Sequence, residues 1–149
     1  MQEAIMDREE FIRIVEGTNP RTVFAPLGIR VTKYDPDEMQ VAMDIDERHH
    51  QHLGMLHGGV SALLAESAAS LAAAMSVDLH THTIAGVDLN ATHLRAKQTG
   101  SLQATARPLF RGRTTHVYAI EIADEGGHLV CVSRCTIAVR PRRREDRDP

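Results

Sequence analysis

Over residues 39–46 apolar and polar side chains take turns. Met39, Val41, Met43 and Ile45 alternate with Gln40, Asp44 and Asp46, and Ala42 lies between them. A period of two predicts a half-buried strand. Residues 28–34 read as the strand before it, and Asp35-Pro36-Asp37 supplies the turn of a hairpin. Further upstream, residues 7–16 carry Phe11, Ile12 and Val15 as the apolar stripe of a short helix ended by Gly17, Asn19 and Pro20, and residues 22–27 hold a second short turn. Residues 47–56 form a polar, His-rich loop. Gly58-Gly59 then opens a long helix over residues 60–77, with Val60, Leu64, Leu71 and Met75 on one stripe and Ala or Ser over most of the rest. A helix that is small or apolar all round is a buried one. After a connector at 80–82 come four strands, at 83–95, 100–109, 114–124 and 128–139. Asp124-Glu125-Gly126-Gly127 is the hairpin turn between the last two. No internal repeat is visible.

Two strands, a buried helix and four more strands predict an α+β fold: a curved antiparallel sheet wrapped around a long central helix. The unpaired flanks of such a sheet invite a second subunit. The 149 residues suit one domain, over residues 1–139. Residues 140–149 are a run of mixed charge that reads as a solvated, disordered tail; an anion-binding arm is the sharper alternative.

The net charge of −3 gives no global attraction to nucleic acid or an anionic membrane, and 3% aromatic content leaves little for a base-stacking surface. The first ten residues are acidic and lack a signal-peptide profile, and no window approaches a membrane span. Cys131 and Cys135 share one strand and one face, about 13 Å apart at strand rise, too far for a disulfide. Free thiols suit a reducing compartment, so the expectation is a soluble, cytoplasmic protein.

The chemistry concentrates at the start of the long helix, in the run from His57 to Glu66. Glycines there let a ligand approach bare N–H groups at the positive end of the helix dipole, where a polarised thioester oxygen fits. Glu66 is the only acid between Glu47 and Asp78. It shares one side of the helix with Ser70, away from the Leu64 and Leu71 stripe. A buried Glu is costly unless it is paired or functional, so either a Glu pointing to solvent or to a salt bridge, or a catalytic carboxylate, accounts for it. His57 reads as a structural hydrogen-bonder or as a catalyst. His49, His50, His52 and His57 cluster, but they lack HExxH order and nearby Cys or acidic partners, so no metal and no cofactor is expected.

The run LHGGVSALLAES resembles the helix-start motif of the hotdog thioesterases. It is most similar to the phenylacetate-pathway and 4-hydroxybenzoyl-CoA (Arthrobacter-type) branch, nearest to the thioesterases acting on 1,4-dihydroxy-2-naphthoyl-CoA and in enterobactin synthesis. GVDLNATHLRAKQTGSL, PLFRGRTTHVYAIEI and LVCVSRCTIAV follow in the family's order, so the resemblance covers most of the chain from Phe24 to Val139. It implies a hotdog fold and hydrolysis of an acyl-CoA, or of an acyl group on a carrier protein. Glu66 matches the catalytic carboxylate, and the Gly58 N–H matches the group that polarises the carbonyl. His57, Gln51 and Ser70 match groups that place the thioester or the water. His93 and Arg95 match a segment lining the CoA channel across a dimer, Arg113 and Thr114 match a phosphate-holding turn, and Ser133 and Arg134 fall in the same region. The resemblance also implies a homodimer completing shared sites and paired again as a homotetramer. Related branches carry Asp on the helix or in the loop ahead of it; Gln51 with Glu66 marks the Glu-on-helix branch. Small helix residues such as Ala62, Ala69 and Ala73 are expected to leave room for an aryl or medium-chain acyl group. The competing readings are a hotdog dehydratase pairing His57 with Glu66, and a non-catalytic acyl-CoA-binding module.

Overall fold

The computed structural model describes residues 6–143. Helix α1 (Arg8–Thr18) is capped by Asp7, whose carboxylate accepts the Glu9 and Glu10 N–H groups, and it runs through Gly17. The one-turn helix α2 (Phe24–Leu27) stops at Gly28, which takes φ +62°. Strands β1 (Arg30–Lys33) and β2 (Met39–Asp44) form the hairpin. Then come the central helix α3 (Gly58–Ala74) and strands β3 (His82–His93), β4 (Ser101–Arg111), β5 (Thr115–Asp124) and β6 (Leu129–Pro141). Strand β6 therefore runs two residues beyond the domain end expected at 139. The rest of the expected tail, from residue 144, lies outside the described residues.

All six strands pair antiparallel in the order β1-β2-β4-β5-β6-β3. Strands β2 and β3 stand far apart in the sheet, so the chain between them has to cross its face. Helix α3 is that crossing, and it packs on β2 through β6. The α+β arrangement of a sheet around a central helix is the expected one. Met39, Val41 and Met43 of β2, Leu102, Ala104 and Ala106 of β4, Tyr118, Ile120 and Ile122 of β5, and Cys131, Cys135 and Ile137 of β6 all point at the helix and are buried. Complete burial of a side chain such as Leu64 or Ile120 contributes about 1.5–3 kcal/mol.

The buried stripe of α3 differs from the expected one. The helix's buried residues are Ser61, Leu64, Ala65, Ala68, Ala69, Ala72, Ala73 and Ala74, with Met75 buried just past its end, while Val60 and Leu71 are only half-buried. Alanines bring the sheet backbone close to the helix, and this close contact decides which face is buried. Of the alanines expected beside the acyl group, Ala69 and Ala73 are fully buried in the core and Ala62 is half-buried.

The two sheet edges differ. Strand β1 is short and carries Arg30 and Lys33. Strand β3 has twelve residues, half of them exposed, with Val87 62% accessible. A long open edge is a template for pairing. Among the described residues no helix is long and apolar enough to cross a membrane.

Candidate active site

His57 ends the loop and caps α3. Its Nδ1 accepts the Gly59 N–H at 2.8 Å, so the neutral ring carries its proton on Nε2 and presents a donor. Val60 N donates to His57 O at 2.9 Å. The Gly58 N–H is left without a partner among the described residues, as the first amides of a helix are when nothing caps them. Gly58 is in close contact with β3. A Cβ there would lie 2.7 Å from His93 Nε2, so the imidazole of β3 packs directly on the glycine.

A cleft of about 400 Å³ opens at this helix head and is lined by Gln51, Gly58, Ser61, His93 and Arg95. Gln51 sits in a tight turn in which its Oε1 accepts the Leu53 N–H and its carbonyl accepts the Gly54 N–H. With Oε1 occupied, the side-chain group left for a ligand is its NH₂, a donor. The histidine-rich loop is built around His49, which is fully buried. Asp46 N donates to its Nδ1 at 2.9 Å, and its Nε2–H donates to Leu27 O at 2.9 Å. His50 uses Nε2 on Gln98 O at 2.8 Å. These two rings are structural. Among the described residues no group of three or more His, Cys, Asp or Glu is placed to hold a metal ion.

Glu66 lies elsewhere. It is half-buried in a second cleft of about 350 Å³ between α3 and the α1–α2 segment, with Ser70 one turn on. Val15, Val23, Phe24, Leu63 and Leu71 make the walls of that cleft largely apolar. The Glu66 carboxylate makes no hydrogen bond or ion pair with another described residue. It lies instead against Gly86 of β3, where a Cβ would run into Oε1. The β3–β6 register shifts between Gly86 and Asp88, so the strand bulges at this contact. Cys135 is fully buried nearby. Burial pushes its thiol up to about 11, and the carboxylates of Glu66 and Asp88 push the same way, so it stays a protonated thiol.

The expected site residues therefore fall into groups. Gln51, Gly58, His93 and Arg95 meet at the helix head, with His57 exposed at its rim. Glu66 and Ser70 meet on the helix flank. Eight residues of helix separate Gly58 from Glu66, about 12 Å along the axis, so a single copy does not bring the carboxylate to a carbonyl held at the Gly58 N–H. Arg113 stands beyond the other end of α3, in a cleft with Ser76, Asp78, His82 and His116. Thr114 is exposed beside it, its carbonyl taken by Val139 N. Ser133 donates its hydroxyl to Asn90 O at 2.6 Å, and Arg134 is exposed on the outer face of β6. The sequence reasoning passed over Gly86 and Ser61. An isolated glycine in a strand pattern is a signal of close approach; nothing in the sequence marks Ser61.

Residues 53–131 match the family model described as the thioesterase superfamily. A 1,4-dihydroxy-2-naphthoyl-CoA hydrolase of Listeria monocytogenes is 42% identical over 79% of this chain and 95% of its own. The proofreading thioesterase EntH of Klebsiella pneumoniae is 35% identical over 89% of this chain and 96% of its own. A solved mutant of thioesterase PA1618 from Pseudomonas aeruginosa superposes with a TM-score of 0.84 at 35% identity, covering 94% of this chain and 98% of that one. With the sheet-around-helix fold and the motif at the head of α3, these matches place the chain in the thioesterase superfamily of the hotdog fold, as an enzyme of that hydrolase class.

Proposed function

We propose that the protein hydrolyses an acyl-CoA thioester at a site completed by two copies of the chain. Glu66 of one copy acts on a carbonyl held at the Gly58 N–H of the other. The observation that carries this reading is an unpaired, half-buried carboxylate in an apolar cleft, set against the open edge strand. Unpaired carboxylates are not left half-buried for stability.

Edge strand β3 connects the two half-sites. Gly86 marks the position of Glu66 along β3, and His93 marks that of Gly58. Antiparallel pairing of two β3 edges that sets Gly86 of one copy opposite His93 of the other is centred between Leu89 and Asn90, well within the exposed strand. That register brings each Glu66 to the other copy's helix head. The thioester oxygen then receives the Gly58 N–H and the Gln51 NH₂, with His57 Nε2–H at the rim. Aligned backbone N–H groups at a helix start stabilise the negative charge that grows on this oxygen. Glu66 adds to the carbonyl carbon, giving after loss of the thiolate an anhydride that water then hydrolyses to the free acid and Glu66, or it takes a proton from a water that itself adds to the carbonyl carbon, with Ser70 holding that water. The C–S bond breaks and the thiolate leaves past His93 towards Arg95, whose guanidinium suits the phosphates of CoA. Arg113 belongs at the phosphates only if another copy presents it; the dimer is proposed to pair again as a tetramer.

The chamber beside Glu66 takes the acyl group. Its volume and its walls of Val15, Phe24, Leu63 and Leu71 suit an aryl or medium-chain acyl group, presented on CoA or on a carrier protein. Buried free thiols at Cys131 and Cys135 suit the reducing cytoplasm. Dehydration would need a histidine base. The acceptor nitrogen of His57 is held by Gly59, which favours hydrolysis.

Glu66→Gln tests the assignment. Thiol release from the best acyl-CoA should fall by roughly 10²–10⁴-fold with the thermal midpoint and CoA affinity kept. Turnover near the wild-type rate would remove Glu66 from the chemistry. Label found in Glu66 after a single turnover in ¹⁸O-water establishes the anhydride route, since only water attacking the Glu66 carbonyl of an anhydride leaves its oxygen there.

A further inference from the structure

Ser61 stands one turn into α3, 1% exposed, and its Oγ is buried with no hydrogen-bond partner. Helical serines and threonines commonly return the hydroxyl to the carbonyl four residues back. Ser76 does this to Ala72 O at 2.7 Å, and Thr18 to Ile14 O at 2.8 Å. Ser61 does not. Folding gives no reason for the hydroxyl, because Ala65, Ala68 and Ala72 fill the same stripe against the same sheet. A buried unpaired hydroxyl is a cost that alanine would remove.

The position of Ser61 supplies a use. It lines the helix-head cleft together with Gly58, Gln51, His93 and Arg95. Helical side chains lean towards the N-terminus, so the hydroxyl of Ser61 is directed back to the Gly58 end of the cleft. We propose that Ser61 is a further catalytic donor, whose O–H binds the same thioester oxygen that receives the Gly58 N–H. This rests on the hydrolase reading above. As the nucleophile adds to the carbonyl carbon, the π pair moves onto oxygen, and Ser61 O–H and Gly58 N–H both hydrogen-bond it. No proton is transferred, and the donors release the oxygen when the C–S bond breaks.

The test uses Ser61→Ala, with Ser61→Cys as a near-isosteric second variant carrying a weak donor. Three quantities are read: kcat and KM for thiol release, the thermal midpoint, and affinity for two probes. The probes are CoA itself and the ketone analogue of the substrate in which a methylene separates sulfur from carbonyl. Loss of one donor to an oxyanion lowers kcat by roughly 10²-fold. The expected result for both variants is a fall of that order with KM little changed, a midpoint unchanged or raised, unaltered CoA affinity, and ketone affinity reduced up to about tenfold, the size of one hydrogen bond to a carbonyl. A merely structural serine would move the midpoint and leave the ketone-to-CoA ratio alone. Wild-type kcat and an unchanged ratio in Ser61→Ala would overturn the proposal while leaving hydrolysis intact. If the wild-type protein released no thiol from any acyl-CoA, the hydrolase reading would fall, and with it the role of Ser61 as a donor in that reaction.

Discussion

The Glu66 carboxylate rests on Gly86, and a methyl group on residue 86 would occupy the place of its Oε1. If Glu66 is the catalytic carboxylate, the glycine positions it: it lets β3 pass close enough to α3 to fix where the carboxylate points. Gly86→Ala should leave the fold and CoA affinity in place and turn Glu66 off its line. Misplacement of a reacting group by about 1 Å can cost on the order of 10²-fold in rate. A fall of that order in kcat at constant CoA affinity is the expected result of thiol-release kinetics alongside CoA titration. Unchanged kcat would mean that the carboxylate has slack. Part of the site at this scale was legible in the sequence. A lone acid in a run of small residues and two glycines after His57 stand out on any reading. The missing part depends on contacts across the fold. Gly86 matters because a strand twenty residues later lies over Glu66, and Ser61 matters because its hydroxyl finds no partner. Neither relation is written in local spacing.

The β5–β6 turn shows how one side chain secures an element. Asp124 accepts the Gly126 and His128 N–H groups at 3.0 Å each and pairs with Lys97 at 3.2 Å, which ties the loop after β3 to the far hairpin. The His128 N–H bond is the largest influence holding the Asp124 carboxyl far below its ordinary 3.8; Lys97 and Gly126 act in the same direction, and partial desolvation opposes them. A carboxylate with a depressed folded pKa stabilises the fold above its unfolded pKa and loses that contribution as pH falls through the folded value. Asp124→Ala should therefore lower the thermal midpoint at neutral pH, and the gap from wild type should narrow below about pH 4. Equal gaps at pH 7 and pH 3 would show that its charge plays no part in holding the turn. Elements of this kind were readable in advance. The period of two over β2 and the Asp-Glu-Gly-Gly turn gave their positions to within a few residues. The burial of α3 was readable, but which of its faces meets the sheet was not. Leu71 was assigned to the buried stripe on hydrophobicity, whereas the sheet selects Ala65, Ala68 and Ala72 because small side chains admit its backbone. The His-rich loop has an internal order that is not readable from its composition. It is polar in composition, yet it is ordered by the two ring nitrogens of the fully buried His49.

For the whole molecule, the decisive relation is the roughly 12 Å of helix between Gly58 and Glu66. A long β3 edge with an exposed Val87 gives a second copy a place to pair, and in the proposed register such pairing would join a helix head to a foreign carboxylate. This arrangement makes a prediction that no single-copy site can meet. Glu66→Ala lacks the carboxylate and Gln51→Ala lacks the donor loop, so each homodimer carries two defective sites. In a mixed dimer one site combines the intact Glu66 of one chain with the intact Gln51 of the other, while the second site lacks both. Statistical exchange makes half of the dimers mixed, each with one working site of two, so activity should recover to about a quarter of wild type. The experiment is to unfold and refold the two inactive variants together and compare thiol release with that of each refolded alone. If both halves of the site came from one chain, every site in the mixed dimer would still be broken, and the mixture would be as inactive as its parts.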